Sequence, residues 1–229
     1  MKSPGFFSKQ SDFSTSRPLA TLVPECYEPG ESAMEFNRGD FILVKGNSLV
    51  YRLIKFGQKM RIFGEDRKYV DWAHAALIVD RDGTLIEAKG TGVKKSSLDD
   101  YAGQPYQIFR IQASDEDRDQ EVEFARWALD KHTKYGKLTI ASIALSLLTG
   151  RKLTFFIDGQ FVCSGLVASA LERAGSIFNR NAANIMPADL AKYFDPAQRP
   201  YLEVSRTSSP VALLPRCHPE ALEKTVRAS

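Results

Sequence analysis

The hydrophobic pattern of this chain begins only after a long polar opening. Residues 1–35 are rich in Ser, Pro and Gly and hold no sustained period, which predicts an extended arm. RGDFILVKG (38–46) reads as a turn followed by a short buried strand. In NSLVYRLIKFG (47–57), Leu49, Val50, Leu53 and Ile54 recur on one helical face, with Asn47 or Ser48 as N-cap. WAHAALIVDRDGTLIEAKG (72–90) predicts two strands around a polar turn, and YQIFRIQ (106–112) a further strand.

The second half is more helical. ASDEDRDQEVEFARWALDKH (113–132) opens on the capping pair Ser114/Asp117 and turns Phe124, Ala125, Ala128 and Leu129 inward. LTIASIALSLL (138–148) predicts a more apolar helix, and FFIDGQFV (155–162) an extended lead-in to a cysteine. From Ser164, the residues Leu166, Val167, Ala170, Leu171 and Ala174 recur at helical spacing until Gly175 ends the element. MPADLAKYF (186–194) is a short helix with proline in its first turn, and the chain after 205 is irregular. No internal repeat is visible. The order of elements predicts an α+β protein: an arm over 1–35, one domain over 36–204 and a loosely held tail over 205–229.

Composition narrows the class. A hydrophobic content of 43% and a charged content of 26% are ordinary for a globular chain, and 229 residues can bury a substantial core. A net charge of +3, dispersed along the chain, argues against nucleic acid as a partner. The clusters Lys55/Lys59/Arg61/Arg67/Lys68 and Lys89/Lys94/Lys95 read either as solvated faces or as contacts for an anionic surface. Three cysteines, odd in number and without CxxC spacing, argue against a disulfide framework or a Cys-rich zinc site. The N-terminus shows no apolar core of signal-peptide length, and residues 138–148 are about half as long as a membrane-spanning helix. The expectation is a soluble protein made in the cytoplasm.

The stretch with chemical character is GQFVCSGLVASALERAG (159–175). Cys163 stands at a helix start, where unpaired N–H groups and the macrodipole favour the thiolate, which is the nucleophile. Ser164 and Gly165 are small enough to let a carbonyl approach the backbone, where an N–H stabilises a developing oxyanion. Equally, Cys163 reads as one more small apolar core residue. A cysteine hydrolase needs a base, and there are three histidines. His132 in DKHTKYG and His218 in CHPE read as exposed; His74 opens the apolar strand AHAALIV and is the favoured base.

Glu87 is the only acid inside an otherwise apolar strand, an expensive place for an unpaired charge. It is the candidate to orient the imidazole. A turn at Asp80-Arg81 sets Glu87 directly across from His74. A turn at Asp82-Gly83, the usual Asp-Gly preference, leaves it on the same face four residues away, roughly 13 Å at strand rise.

RGDFILVKGNSLVYRLI, WAHAALIVDRDGTLIEAKGTGVKKSSLDDY, FVCSGLVASALERAG and MPADLAKYF, in that order, resemble the circularly permuted NlpC-type papain-like hydrolases, the YiiX-like group related to lecithin:retinol acyltransferase-like proteins. The resemblance covers roughly 38–194 and rests on Gly39-Asp40, His74, Glu87-Ala88 and Cys163-Ser164. Gly165 departs from the Glu common after Cys-Ser in that family, and 137–160 is longer and more apolar than its usual connection. The arm and the tail find no counterpart.

The resemblance implies a permuted papain-like fold, a small antiparallel sheet packed against helices, with a Cys163–His74–Glu87 triad. It also implies an acyl-enzyme mechanism without cofactor or metal. The leading expectation is a monomeric peptidoglycan peptide hydrolase acting on stem peptides. Without a signal peptide, it would be a delivered antibacterial effector with a secretion-apparatus or immunity partner. An acyl-lipid hydrolase or acyltransferase is the alternative, and an inactive binding module the third reading.

Overall fold

The computed structural model describes residues 24–90, 92–131, 162–176 and 178–196. The helix expected over 138–148, nearly all of the lead-in 155–162, His132 and the tail from 205 lie outside the described residues. One antiparallel sheet of six strands organises the rest, in the order β1 (Glu25–Tyr27), β6 (Tyr106–Phe109), β2 (Phe41–Val44), β3 (His74–Ile78), β4 (Thr84–Lys89), β5 (Gly92–Ser97). With it stand helices α1 (Leu49–Arg61), α2 (Asp115–Lys131), α3 (Cys163–Arg173) and α4 (Pro187–Tyr193). The fold is therefore α+β, with a small antiparallel sheet and helices. The segment read as an arm supplies an edge strand, since β1 pairs with β6. No described helix is long and apolar enough to cross a membrane.

The central strands are apolar on both sides because both faces are covered, and β2 is buried at every residue. One face sets Phe41, Leu43, Ala75, Leu77 and Ile86 against Leu166, Val167, Ala170 and Leu171 of α3 and Val122 and Ala125 of α2. The other sets Ile42, Val44, Ala76, Ile78 and Leu85 under Leu98, Tyr101 and Tyr106. His74 and Glu87 share the parity of this second face, His74 with Ala76 and Glu87 with Leu85.

The β3–β4 hairpin falls midway between the two turns expected from sequence. Leu77 pairs with Ile86 and Ile78 with Leu85, and the Val79 N–H donates to Thr84 O at 2.9 Å. The loop is thus Asp80–Gly83. Asp82 Oδ1 accepts from the Thr84 N–H at 2.9 Å, and Gly83 takes the left-handed φ of +82°. Extended by one pair, this register sets Glu87 opposite Ala76. That is diagonal to His74, a separation a glutamate side chain spans.

The inner faces of α1 and α2 are not wholly apolar, although Ala125 and Ala128 of α2 are buried and Phe124 and Leu129 pack against the core as expected. Helix α1 forms, with Ser48 as N-cap, but Leu49, Val50 and Leu53 are exposed and Ile54 is only partly buried. Its inner face is built on Gln58, whose Nε2 donates to Val70 O at 2.9 Å and Trp72 O at 2.8 Å. Gln58 Oε1 accepts from the Ala188 N–H at 3.0 Å. Helix α2 carries the Ser114/Asp117 cap at 2.8 Å, yet its most buried side chains include Glu121 alongside Val122, Ala125 and Ala128. Burial pushes the Glu121 carboxyl up to about 9 against the opposing charge of Arg118, so it is neutral at pH 7.

Gly39 and Asp40 serve the same corner. A Cβ at Gly39, whose φ is +86°, would meet Glu121 Oε2 at 2.5 Å. Asp40 accepts from the Asn37 and Ile111 N–H groups at 2.8 and 3.0 Å and from Arg118 at 3.0 Å.

Gln58→Ala orphans two buried carbonyls and one N–H, and is expected to lower the unfolding free energy by about 3 kcal/mol in urea titrations.

Candidate active site

Helix α3 begins at Cys163 with no side-chain cap at Val162, leaving its first N–H groups to other partners. The helix is small and apolar where it meets the sheet, at Leu166, Val167, Ala170 and Leu171, and this packing carries its N-terminus to the start of β3. Ser164 is not aimed at chemistry: its Oγ donates to Ile185 O at 2.6 Å and ties the helix start to the lead-in of α4. Gly175, at φ +88°, closes the element, and Ser176 N–H returns to Leu171 O at 3.0 Å. The thiol is free and buried.

The structure brings Cys163, His74 and Glu87 together. His74 Nε2 lies 2.5 Å from Glu87 Oε2, with both side chains buried. With Nε2 so engaged, the other ring nitrogen, Nδ1, is left for the Cys163 thiol, to which the imidazole is hydrogen-bonded. The thiol also receives the backbone N–H groups of Ala75 and Ser164.

Burial alone would drive all three groups toward their neutral forms; contact reverses each shift. The imidazole is desolvated, but the charges of Cys163 and Glu87 raise it from 6.5 to about 9. Burial likewise opposes ionisation of Glu87, while the hydrogen bond and charge of His74, with Lys89, hold it at about 2. Cys163 is lowered below its ordinary value despite burial, by the charge and hydrogen bond of His74 and by the two backbone N–H groups. The contacts thus favour the ionised form of each group, with a thiol and a carboxylate on either side of the imidazole.

Sequence reasoning missed the residues that frame it. Tyr101, from the short 3-10 helix Leu98–Tyr101, donates its hydroxyl to Glu87 Oε2. The Tyr51 and Tyr101 hydroxyls act on one another, and burial raises both above the ordinary phenol value. The imidazole stacks against both rings, with centroids 5.6 Å from Tyr51 at 21° and 6.0 Å from Tyr101 at 25°. Lys89 Nζ sits 2.8 Å from Glu87 Oε1, at ion-pair distance but outside hydrogen-bond geometry, and lies over the Tyr101 ring at 5.0 Å. Neither tyrosine carried a signal in the sequence; the ring of Tyr51 fits closely at Gly46, where a Cβ would stand 2.0 Å from Cδ2.

His132 and His218 lie outside the described residues. Cys26, on the edge strand β1, is disulfide-bonded, so the cysteine count concealed one bridge. Among the described residues, no group of three or more His, Cys, Asp and Glu is placed to hold a metal ion. No protein-family model matches the chain, and no curated protein matches it.

Two titrations follow. The rate of Cys163 alkylation by iodoacetamide should inflect below the ordinary thiol value of about 8.5, and His74→Ala should return it there or above. Stability should depend on pH from both sides. The His74 contribution is complete below its ordinary 6.5 and is lost as pH rises through about 9. The Glu87 contribution is present above its ordinary 4.5 and is lost as pH falls toward about 2, so Glu87→Gln should flatten the acid limb of the unfolding free energy.

Proposed function

We propose that this protein is a cysteine hydrolase that cleaves an amide bond through an acyl-enzyme on Cys163. The observation that carries the reading is the buried His74, engaged by Glu87 through Nε2 and by the thiol on its other side. An antiparallel sheet with the histidine opening a strand, followed later in the chain by a cysteine opening a helix, supports a permuted papain-like fold.

In this mechanism the thiolate attacks the carbonyl carbon, and the carbonyl electrons move to an oxyanion. Backbone N–H groups at the uncapped start of α3 stabilise that charge. The imidazolium gives its proton to the leaving nitrogen, the C–N bond breaks, and a thioester remains. Neutral His74 then takes a proton from water, whose oxygen attacks the thioester. Collapse expels the thiolate and frees the carboxylic acid. Glu87 holds the ring orientation and stabilises its charged form, and Tyr101 and Lys89 keep Glu87 ionised in place.

The substrate class drawn from the resemblance is the peptidoglycan stem peptide, reached by delivery into the envelope as an antibacterial effector. A second reading, hydrolysis or transfer of an acyl lipid, is favoured by one observation: the apolar side of α1 faces solvent, while Tyr51 of the same helix stacks on His74.

Purified sacculi digested with the protein, with fragments read by mass spectrometry, test the first reading. Stem-peptide cleavage should be absent with Cys163→Ala and reduced about 10²- to 10⁴-fold with Glu87→Gln. No cleavage of sacculi, together with turnover of acyl esters by the wild type alone, would transfer the assignment to acyl lipids. Inertness on both, with an unreactive thiol, would sink the enzyme.

A further inference from the structure

Helix α1 wears its apolar side outward. Leu49, Leu53, Phe56 and Met60 recur at helical spacing and are 73%, 39%, 51% and 60% exposed. They fall within an arc of about 60° on the helix. Val50 and Phe63, also exposed, extend the stripe. Arg52, Lys55 and Lys59 line one flank and Arg61 the other, and α1 contains no acid.

Among the described residues, no ion pair engages Arg52, Lys55 or Lys59 within 4.0 Å; the ion pairs of this region belong to Lys68 and Lys192. Lys55, partly desolvated, also feels the charges of Lys45 and Lys59, and only Asp71 opposes them. An apolar stripe flanked by Arg52, Lys55 and Lys59, on a helix without acids, is the pattern of a helix lying in the plane of a bilayer surface. A second copy of the chain fits less well, because a two-fold contact through α1 would oppose two basic helices.

We infer that α1 docks on an anionic lipid bilayer, with Leu49, Leu53, Phe56, Met60 and Phe63 entering the headgroup–acyl boundary and Arg52, Lys55 and Lys59 meeting the phosphates. The inference goes beyond the catalytic reading and does not require it. Its consequence for the site is positional: Tyr51 rises from the inner side of the same helix to stack on His74, so docking sets the thiol one helix away from the membrane surface.

The test is co-sedimentation of the full chain with vesicles of phosphatidylcholine alone, or of equal parts phosphatidylcholine and phosphatidylglycerol. Binding should be strong to the mixed vesicles, weak to the neutral ones, and should decline with added salt. Leu53→Ser with Phe56→Ser should lower partitioning at least about tenfold. Arg52→Glu with Lys59→Glu should remove the preference for phosphatidylglycerol. Cys163→Ala protein should bind like the wild type, which separates this result from any failure of catalysis.

The proposal is overturned if the wild type ignores mixed vesicles at low salt, or if both double variants bind unchanged. It is also overturned if the wild type is a dimer that Leu53→Ser with Phe56→Ser converts to monomer. Should that variant unfold by circular dichroism, the charge-reversal pair and the salt dependence decide alone.

Discussion

The fold is organised around a carboxylate that cannot stand alone. Glu87 is fully excluded from solvent in the middle of an apolar strand, where an unpaired charge would cost several kcal/mol. Its stability there depends on three partners arriving from three elements: His74 from β3, Tyr101 from the 3-10 helix after β5, and Lys89 two residues along its own strand. Register is the first condition for that meeting. A slip of one residue in the β3–β4 pairing would swing Glu87 onto the face packed by α2 and α3, among Leu77 and Leu166. The four-residue loop Asp80–Gly83, closed by the Asp82 side chain, is therefore part of the site as much as of the hairpin.

The thiol is supplied from the opposite layer. Cys163 belongs to the helical side of the sheet, while His74 and Glu87 face the other side, and they meet only where β3 begins. That is why the packing of α3 matters to charge. The buried alanines Ala168 and Ala170 pack into the core, Ser164 anchors the first turn to Ile185 O, and the Ala75 N–H reaches the sulfur. Removing water from all three groups strengthens their attraction for one another, and so the same burial that opposes each charge singly stabilises them as a set.

What the sequence made legible follows the strength of its periods. Two strands around DRDG, the helix from Cys163, the capped helix from Ser114 and the proline-led helix at 187 were all readable, because apolar spacing and end signals agreed. Cys163, His74 and Glu87 stood out because each is a polar group in an apolar run, and the structure brings the three together. Tyr51 and Tyr101 did not stand out, since a tyrosine in such a run reads as core, and only the fold shows where its hydroxyl points. The hairpin loop was missed by one pairing step in either direction because Asp-Gly preference describes two-residue loops and this one has four residues. Glu121 was hidden by its acidic neighbours in DEDRDQEVE: period alone does not separate a solvated carboxylate from a neutral buried one.

Helix α1 shows most directly where periodicity stops. Its apolar repeat forecasts an amphipathic helix, but a period carries no arrow saying which side meets the protein. Here the inner side is chosen by hydrogen bonds. The carbonyls of Val70 and Trp72, which lead into β3, and the first turn of α4 all require Gln58, and Tyr51 is required beside the imidazole. Those polar demands turn Gln58 and Tyr51 inward, and a rigid helix must then present Leu49, Leu53, Phe56 and Met60 outward, since they stand on the opposite side. The exposed stripe is thus geometrically tied to the residues that hold His74, so a surface that takes up the stripe also steadies the wall of the site.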